Sequence, residues 1–143
     1  KRRIHRAAGI VPYIIKESGE LRFLLIKGSF GWEFPKGCIE KEETSLEAAK
    51  RETEEETGLT IEEVHPSFRF LSKYLVTINY STREKLDNPI PKTVAYFLGK
   101  SPTKEIKLSF EHSEYGWFTP SEAMEKLSKN KREVLKAALC KLN

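Results

Sequence analysis

The chain has 143 residues, 38% hydrophobic and 32% charged, which suits one soluble domain with a modest core. No apolar run approaches the roughly 18 residues that a membrane-spanning helix needs, so a transmembrane segment is excluded. The formal charge is +4 but unevenly placed: residues 40–63 hold ten Glu against three basic residues, leaving that segment at −7 and the rest at +11.

The predicted elements alternate. Ala7 to Lys16 is β-branched and aromatic and reads as a strand, with turn chemistry at Glu17–Glu20 and a hairpin partner over Leu21 to Lys27. Gly28 to Gly37 reads as a loop carrying Trp32, Phe34, Pro35 and Lys36. Thr44 to Thr57 is the clearest helix, with Thr44 or Ser45 able to cap it, Glu47 in the first turn, and Gly58 just past its end. Leu46, Ala49 and Thr53 fall on one side of that helix, toward a core. Ile61 to Asn79 reads as two strands or one bent strand broken at Pro66, and Ser81 to Pro91 as a polar loop with two prolines. Lys92 to Lys100 is a strand, Phe110 to Ser113 a loop, and Glu114 to Phe118 a short strand. Thr119-Pro120-Ser121-Glu122 starts a helix, and Lys131 to Leu142 makes the last one. The expected architecture is one α/β domain over 1–143, a mixed sheet flanked by helices. Cys38 and Cys140 form neither a disulfide framework nor a paired metal motif, and no apolar stretch follows the basic N-terminus, so a cytoplasmic location without a secretory leader is expected.

The acidic segment carries the chemistry. Glu52, Glu55 and Glu56 stand at i, i+3 and i+4, so three carboxylates share a sector of roughly 100° on one helix face. Like charges this close destabilise a helix unless something offsets them. A hard divalent cation does so, because Mg²⁺ binds a few carboxylates together with waters and substrate phosphates. Glu54 points to the opposite side, toward solvent. Arg51 lies beside the carboxylates and is placed to orient them.

Written out, Gly37, five residues, Glu43, seven residues and then Arg51-Glu52-Thr53-Glu54-Glu55-Glu56-Thr57-Gly58-Leu59 resembles the Nudix hydrolase signature G-x5-E-x7-R-E-U-x-E-E-x-G-U, with U apolar. The seven fixed residues all match, and Thr53 at an apolar position is the one departure. The resemblance implies the Nudix fold, a mixed sheet between helices, and cleavage of a nucleoside diphosphate linked to another group. It implies Mg²⁺ or Mn²⁺ held by Glu52, Glu55 and Glu56 with help from the Gly37 carbonyl. Arg51 and Glu43 would hold the motif in shape.

Three further segments resemble the animal and archaeal type of asymmetrical diadenosine tetraphosphate hydrolase. Trp32 to Gly37 is similar to its W-x-x-P-K-G entry, Lys92 to Leu98 to its K-T-V-x-Y-[WF]-L strand, and Leu108 to Trp117 to its L-S-x-E-H-x-x-Y-x-W segment. The resemblance implies phosphate contact by Lys36, Lys92 or His112 and base stacking by Tyr96, with Trp32, Tyr80 or Tyr115 as second aromatic. Glu111 would be a further metal ligand or the general base, with Glu55 as the alternative base. Cys38 departs from the His or Asn of many relatives, and no aromatic lies within Lys131 to Asn143. The implied reaction takes diadenosine tetraphosphate and water to ATP and AMP, in a monomer needing no nucleic acid. The competing readings are an RNA 5′-pyrophosphohydrolase using Lys1, Arg2, Arg3, Arg6, Lys73 and Arg83, and a catalytically silent nucleotide-binding module.

Overall fold

The computed structural model describes residues 5–79 and 81–143. Its elements are β1 (His5–Ile15), β2 (Leu21–Gly28), β3 (Gly31–Glu33), β4 (Lys36–Cys38), α1 (Ser45–Thr57), β5 (Glu63–Val64), β6 (Phe70–Ile78), β7 (Lys85–Lys100), β8 (Glu114–Phe118), α2 (Pro120–Lys126) and α3 (Lys129–Leu142).

The sheet is organised around β1. Along one edge β1 pairs parallel with β7, from His5↔Lys92 to Tyr13↔Lys100. Its other edge is shared. The C-terminal half pairs antiparallel with β2 (Tyr13↔Phe23) and the N-terminal half with β4 (Ala7↔Cys38 to Gly9↔Lys36). β2 continues outward to β3 and β8, and β7 carries β5 and β6. The sharing requires a close approach at Gly9. A Cβ there would collide with the Pro35 carbonyl and lie 2.7 Å from Lys36 Cβ, and the next amide, Ile10, donates to Pro35 O at 3.2 Å.

Strand alternation divides the core into two layers. Ala7, Val11, Phe23, Leu25, Val94, Tyr96 and Leu98 face α2 and α3, meeting Ala123, Leu127, Val134, Leu135 and Ala138. Ala8, Ile10, Leu24, Ile26, Ala95 and Phe97 face the other way, onto Ala48 and Ala49 of α1 and onto Leu59 and Ile61. The result is the expected mixed sheet between helices. α1 starts at a capping box, Thr44 accepting from the Glu47 amide and Glu47 accepting from the Thr44 amide, and ends at Gly58 in the left-handed conformation (φ 77°). α2 repeats the device with Thr119 and Glu122, and Pro120 opens it.

Two expected loops are strands. Within Gly28 to Gly37, β3 and β4 add to β2 and β1, where tertiary pairing overrides short, Gly- and Pro-punctuated sequence. Within Ser81 to Pro91, β7 begins at Lys85 and runs through Pro89 and Pro91. Among the described residues, 85–91 pair with β6 and the parallel pairing with β1 starts at Lys92, so both prolines fall in the N-terminal part of β7.

Tyr96 also corrects an expectation. Its side chain is 2% exposed and packs edge-on against Phe34, with ring centroids 5.8 Å apart. No ring face is open to a nucleotide base, and burial pushes its phenol well above its usual range. Tyr96→Ala is expected to cost about 3–5 kcal/mol of stability, as for other buried aromatics. Urea denaturation would measure that loss, with KM little changed in whatever fraction stays folded.

Candidate active site

Arg51, one turn before the end of the acidic cluster, orders the carboxylates. Its Nε and Nη2 donate to the two oxygens of Glu43 at 2.7 and 3.1 Å. Nη1 reaches both Glu52 and Glu55 at 2.9 Å, and Nη2 also donates to the Cys38 carbonyl at 2.9 Å. One planar fork thus ties α1 to the loop before it and to β4. The Glu43 hydrogen bond above all, with Glu55 and Glu52, raises the guanidinium pKa further beyond its ordinary value. In return, Arg51 lowers that of Glu43.

The three clustered carboxylates are not equivalent. Glu55 is half exposed, whereas Glu52 lies against β4. A Cβ on Gly37 would collide with the Glu52 carboxylate, which is why this position takes glycine. Burial raises the Glu52 pKa despite Arg51. Glu56 turns inward, where its Oε1 accepts from the Lys36 amide at 3.1 Å. Burial pushes its pKa up to about 7; His112 and that amide oppose the rise, while Glu33 and Glu52 add to it. Glu54 is exposed, as its helical position requires, and accepts from Thr60.

α1 also places the segment that follows β7. Its last carbonyls are satisfied by that segment, Lys107 N donating to Thr57 O at 2.9 Å and Ser109 N to Glu56 O at 3.2 Å. This brings Glu111 and His112 beside Glu56. Together with Lys36, Lys92 and residues not anticipated from the sequence (Phe30, Glu33, Tyr74 and Lys131) they line one cleft of about 350 Å³. Lys36, Lys92, Glu56, Glu111 and His112, separated by up to 76 positions in the chain, are therefore brought together.

Its electrostatics favour an anion. Lys92 continues the Val94–Tyr96–Leu98 stripe out of the α3-side core and is largely desolvated, which with Lys36 pushes its pKa down to about 8. Lys131, at the start of α3, is also lowered, by burial and by Lys36. Three lysines crowded in a polar cleft are relieved by a polyanion. Glu33 is half-buried, but its hydrogen bond to His112 and the nearby Lys36 outweigh desolvation and hold its pKa below the ordinary value.

Three expected contacts are placed differently. Trp32 shares the face of Phe34 and packs edge-on against Phe118, centroids 5.2 Å apart, with Lys126 Nζ 5.0 Å from its ring; it does not line the cleft. Tyr115 on β8 is likewise outside the lining. His112 lines the cleft, but its side chain is 4% exposed and both ring nitrogens are engaged within the protein, so direct phosphate contact gives way to an internal role. Among the described residues the aromatic lining is instead Phe30, with the Arg83 guanidinium 4.2 Å from its centroid, and Tyr74. Tyr80, Lys1, Arg2 and Arg3 lie outside the described residues. Alternation around Trp32 and Phe34 was the available signal for Glu33. For Tyr74 and Lys131 no local signal existed.

The donor set fits a hard divalent cation. It consists of oxygens only, glycine leaves Glu52 its room, and Glu56 is a carboxylate whose ionisation needs a compensating charge. Among the described residues no three such side chains already form a cage, because Arg51 draws Glu52 and Glu55 to itself.

A family model described as the NUDIX domain matches residues 3–138. The asymmetrical bis(5′-nucleosyl)-tetraphosphatase of Mus musculus is 37% identical over 112 residues, covering 75% of this chain and 70% of that protein. The one from Caenorhabditis elegans is 33% identical over 125 residues, covering 83% and 82%. The crystal structure of a C. elegans Ap4A hydrolase binary complex superposes with a TM-score of 0.79 at 29% identity, covering 96% of this chain and 97% of that one.

The raised Glu56 pKa gives a signed pH dependence. Its folded value of about 7 exceeds the ordinary 4.5, so metal-free protein loses stability as pH rises from 4.5 through 7. Glu56→Gln removes that penalty. In chelator at pH 8 it is expected to be more stable than wild type by on the order of 2 kcal/mol, with no advantage near pH 4. Thermal unfolding across pH checks this, and added Mg²⁺ should reverse the ranking.

Proposed function

The chain belongs to the NUDIX domain family, and on that footing we propose that it hydrolyses dinucleoside polyphosphates asymmetrically, taking diadenosine tetraphosphate and water to ATP and AMP. The observation that carries this reading is the cleft itself, which Lys36, Lys92 and Lys131 line together with Glu56 of α1. A substrate with four linked phosphates offers enough negative charge to meet three desolvated lysines and still reach the carboxylate cluster. The relatives named above carry this activity in their names.

Glu52, Glu55 and Glu56, with the Gly37 carbonyl and Glu111, would hold a divalent cation, Mg²⁺ or Mn²⁺. When bound, such a cation neutralises phosphate charge and acidifies a water. The chain's own residues do the rest. Lys36, Lys92 and Lys131 bind and align the phosphates. Arg51 keeps the carboxylates in register through Glu43. Water attacks one phosphorus, its proton passes to Glu111 or Glu55, and the bond to the bridging oxygen breaks, that oxygen leaving with the departing nucleotide. Phe30 and Tyr74, aromatic side chains of the cleft lining, are the candidates to meet a base. We place the protein in the cytoplasm as a monomer; both cysteines are free and exposed, which supports a reducing compartment. No helix among the described residues is long and apolar enough to cross a membrane.

A substrate panel resolved by chromatography tests the reading. Diadenosine tetraphosphate should yield equal ATP and AMP, and chelator should abolish the reaction. Cleavage of 5′-triphosphorylated RNA far faster than the dinucleotide would put the RNA-processing reading in its place. Glu55→Gln and Glu56→Gln should each lower kcat by roughly 10²-fold or more while circular dichroism stays native.

A further inference from the structure

Glu33 is absent from the signature motif, yet it stands at the junction of three cleft elements. Trp32 and Phe34 point into the α2–α3 core, so alternation directs Glu33 to the cleft. There Oε2 meets His112 Nε2 at 2.9 Å, across 79 positions of chain, and Oε1 lies 3.7 Å from Lys36 Nζ. The contact is closely fitted: a Cβ on Gly28 would lie 3.2 Å from Glu33 Oε2 and 3.5 Å from the His112 ring.

His112 belongs to the 109–113 turn. The ends of that turn are tied by backbone, Ser109 N to Glu56 O at 3.2 Å and Ser113 N to Lys27 O at 3.0 Å. Between them Phe110 is 98% exposed and Glu111 is exposed, so neither is held by packing. The His112 ring is the buried part of the turn, gripped by Glu33 on one nitrogen and by Ser109 Oγ at 3.3 Å on the other. Removing the Glu33 carboxylate strands a buried ring nitrogen, which the turn relieves by moving.

We propose that Glu33 is a positioning residue: by gripping His112 it sets where Glu111 stands on the cleft wall, and by its approach to Lys36 it keeps that turn in register with a phosphate-facing lysine. The proposal rests on the reading of Glu111 as the carboxylate acting near the attacked phosphorus. A shift of about 1 Å in such a group is worth up to 10²-fold in rate.

The test is a double-mutant cycle on the full chain, run with whichever nucleotide wild type cleaves fastest, so that a wrong substrate assignment shows in the panel and not in the cycle. Glu33→Ala is expected to lower kcat by roughly 10-fold or more with KM changed less than about threefold, while Glu33→Gln, which still accepts from the ring, recovers most of the loss. In a Glu111→Gln background Glu33→Ala should cost nothing further, since both changes remove the same contribution. In the free protein, ¹⁵N spectra should show His112 Nε2 protonated and hydrogen-bonded in wild type and Glu33→Gln, and that signature lost in Glu33→Ala. Additive losses in the cycle, a wild-type kcat for Glu33→Ala, or a ring signature indifferent to Glu33 would each overturn the proposal. If Glu33→Ala does not fold, Glu33→Asp, which keeps the charge but withdraws it, must show the same kcat loss and the same non-additivity.

Discussion

The functional end of this molecule depends on one guanidinium. Arg51 holds Glu43 with two bonds and Glu52, Glu55 and the Cys38 carbonyl with one each. Without it, a helix carrying Glu52, Glu54, Glu55 and Glu56 in five positions would repel itself. The planar fork does more than neutralise. It fixes where α1 lies against β4, hence where Glu52 meets Gly37 and where Glu56 meets the Lys36 amide. A lysine supplies one point charge and cannot make those bonds together.

A second constraint is the sharing of one β1 edge between β2 and β4. The strands part there, and Gly9 lets the Pro35–Lys36 backbone close onto β1. The cleft lies where the two cores thin out: the α1 side contributes acid, and the α3 side contributes Lys92 and Lys131 from the ends of buried stripes. Opposite charges therefore face the same space, an arrangement suited to an anion bridged to a cation. The local charge imbalance, acidic helix against basic remainder, is the one-dimensional shadow of this layout.

Glu33 and His112 illustrate how such a site is kept rigid. Each would be poorly solvated alone, and together they are mutually satisfied, Glu33 lowered and His112 raised by the hydrogen bond between them. The turn bearing Glu111 is thereby anchored to a strand that has no part in the signature motif.

Elements whose signals are local were legible in the chain. The capped helix ending at Gly58, the hairpin, the strand 114–118 and the carboxylate face all follow from spacings of a few residues, and the fixed spacing from Gly37 to Gly58 identified the reaction class. The tertiary structure alone decided which side of each strand was core and which was cleft. Tyr96 and Lys92 share a face, yet one is sealed by Phe34 and the α3 helix while the other emerges beyond them. Trp32 and Glu33 are neighbours, yet one packs on Phe118 and the other grips a histidine 79 positions away. Alternation assigns residues to faces, but burial along a face depends on what packs over it, and that cover comes from distant segments.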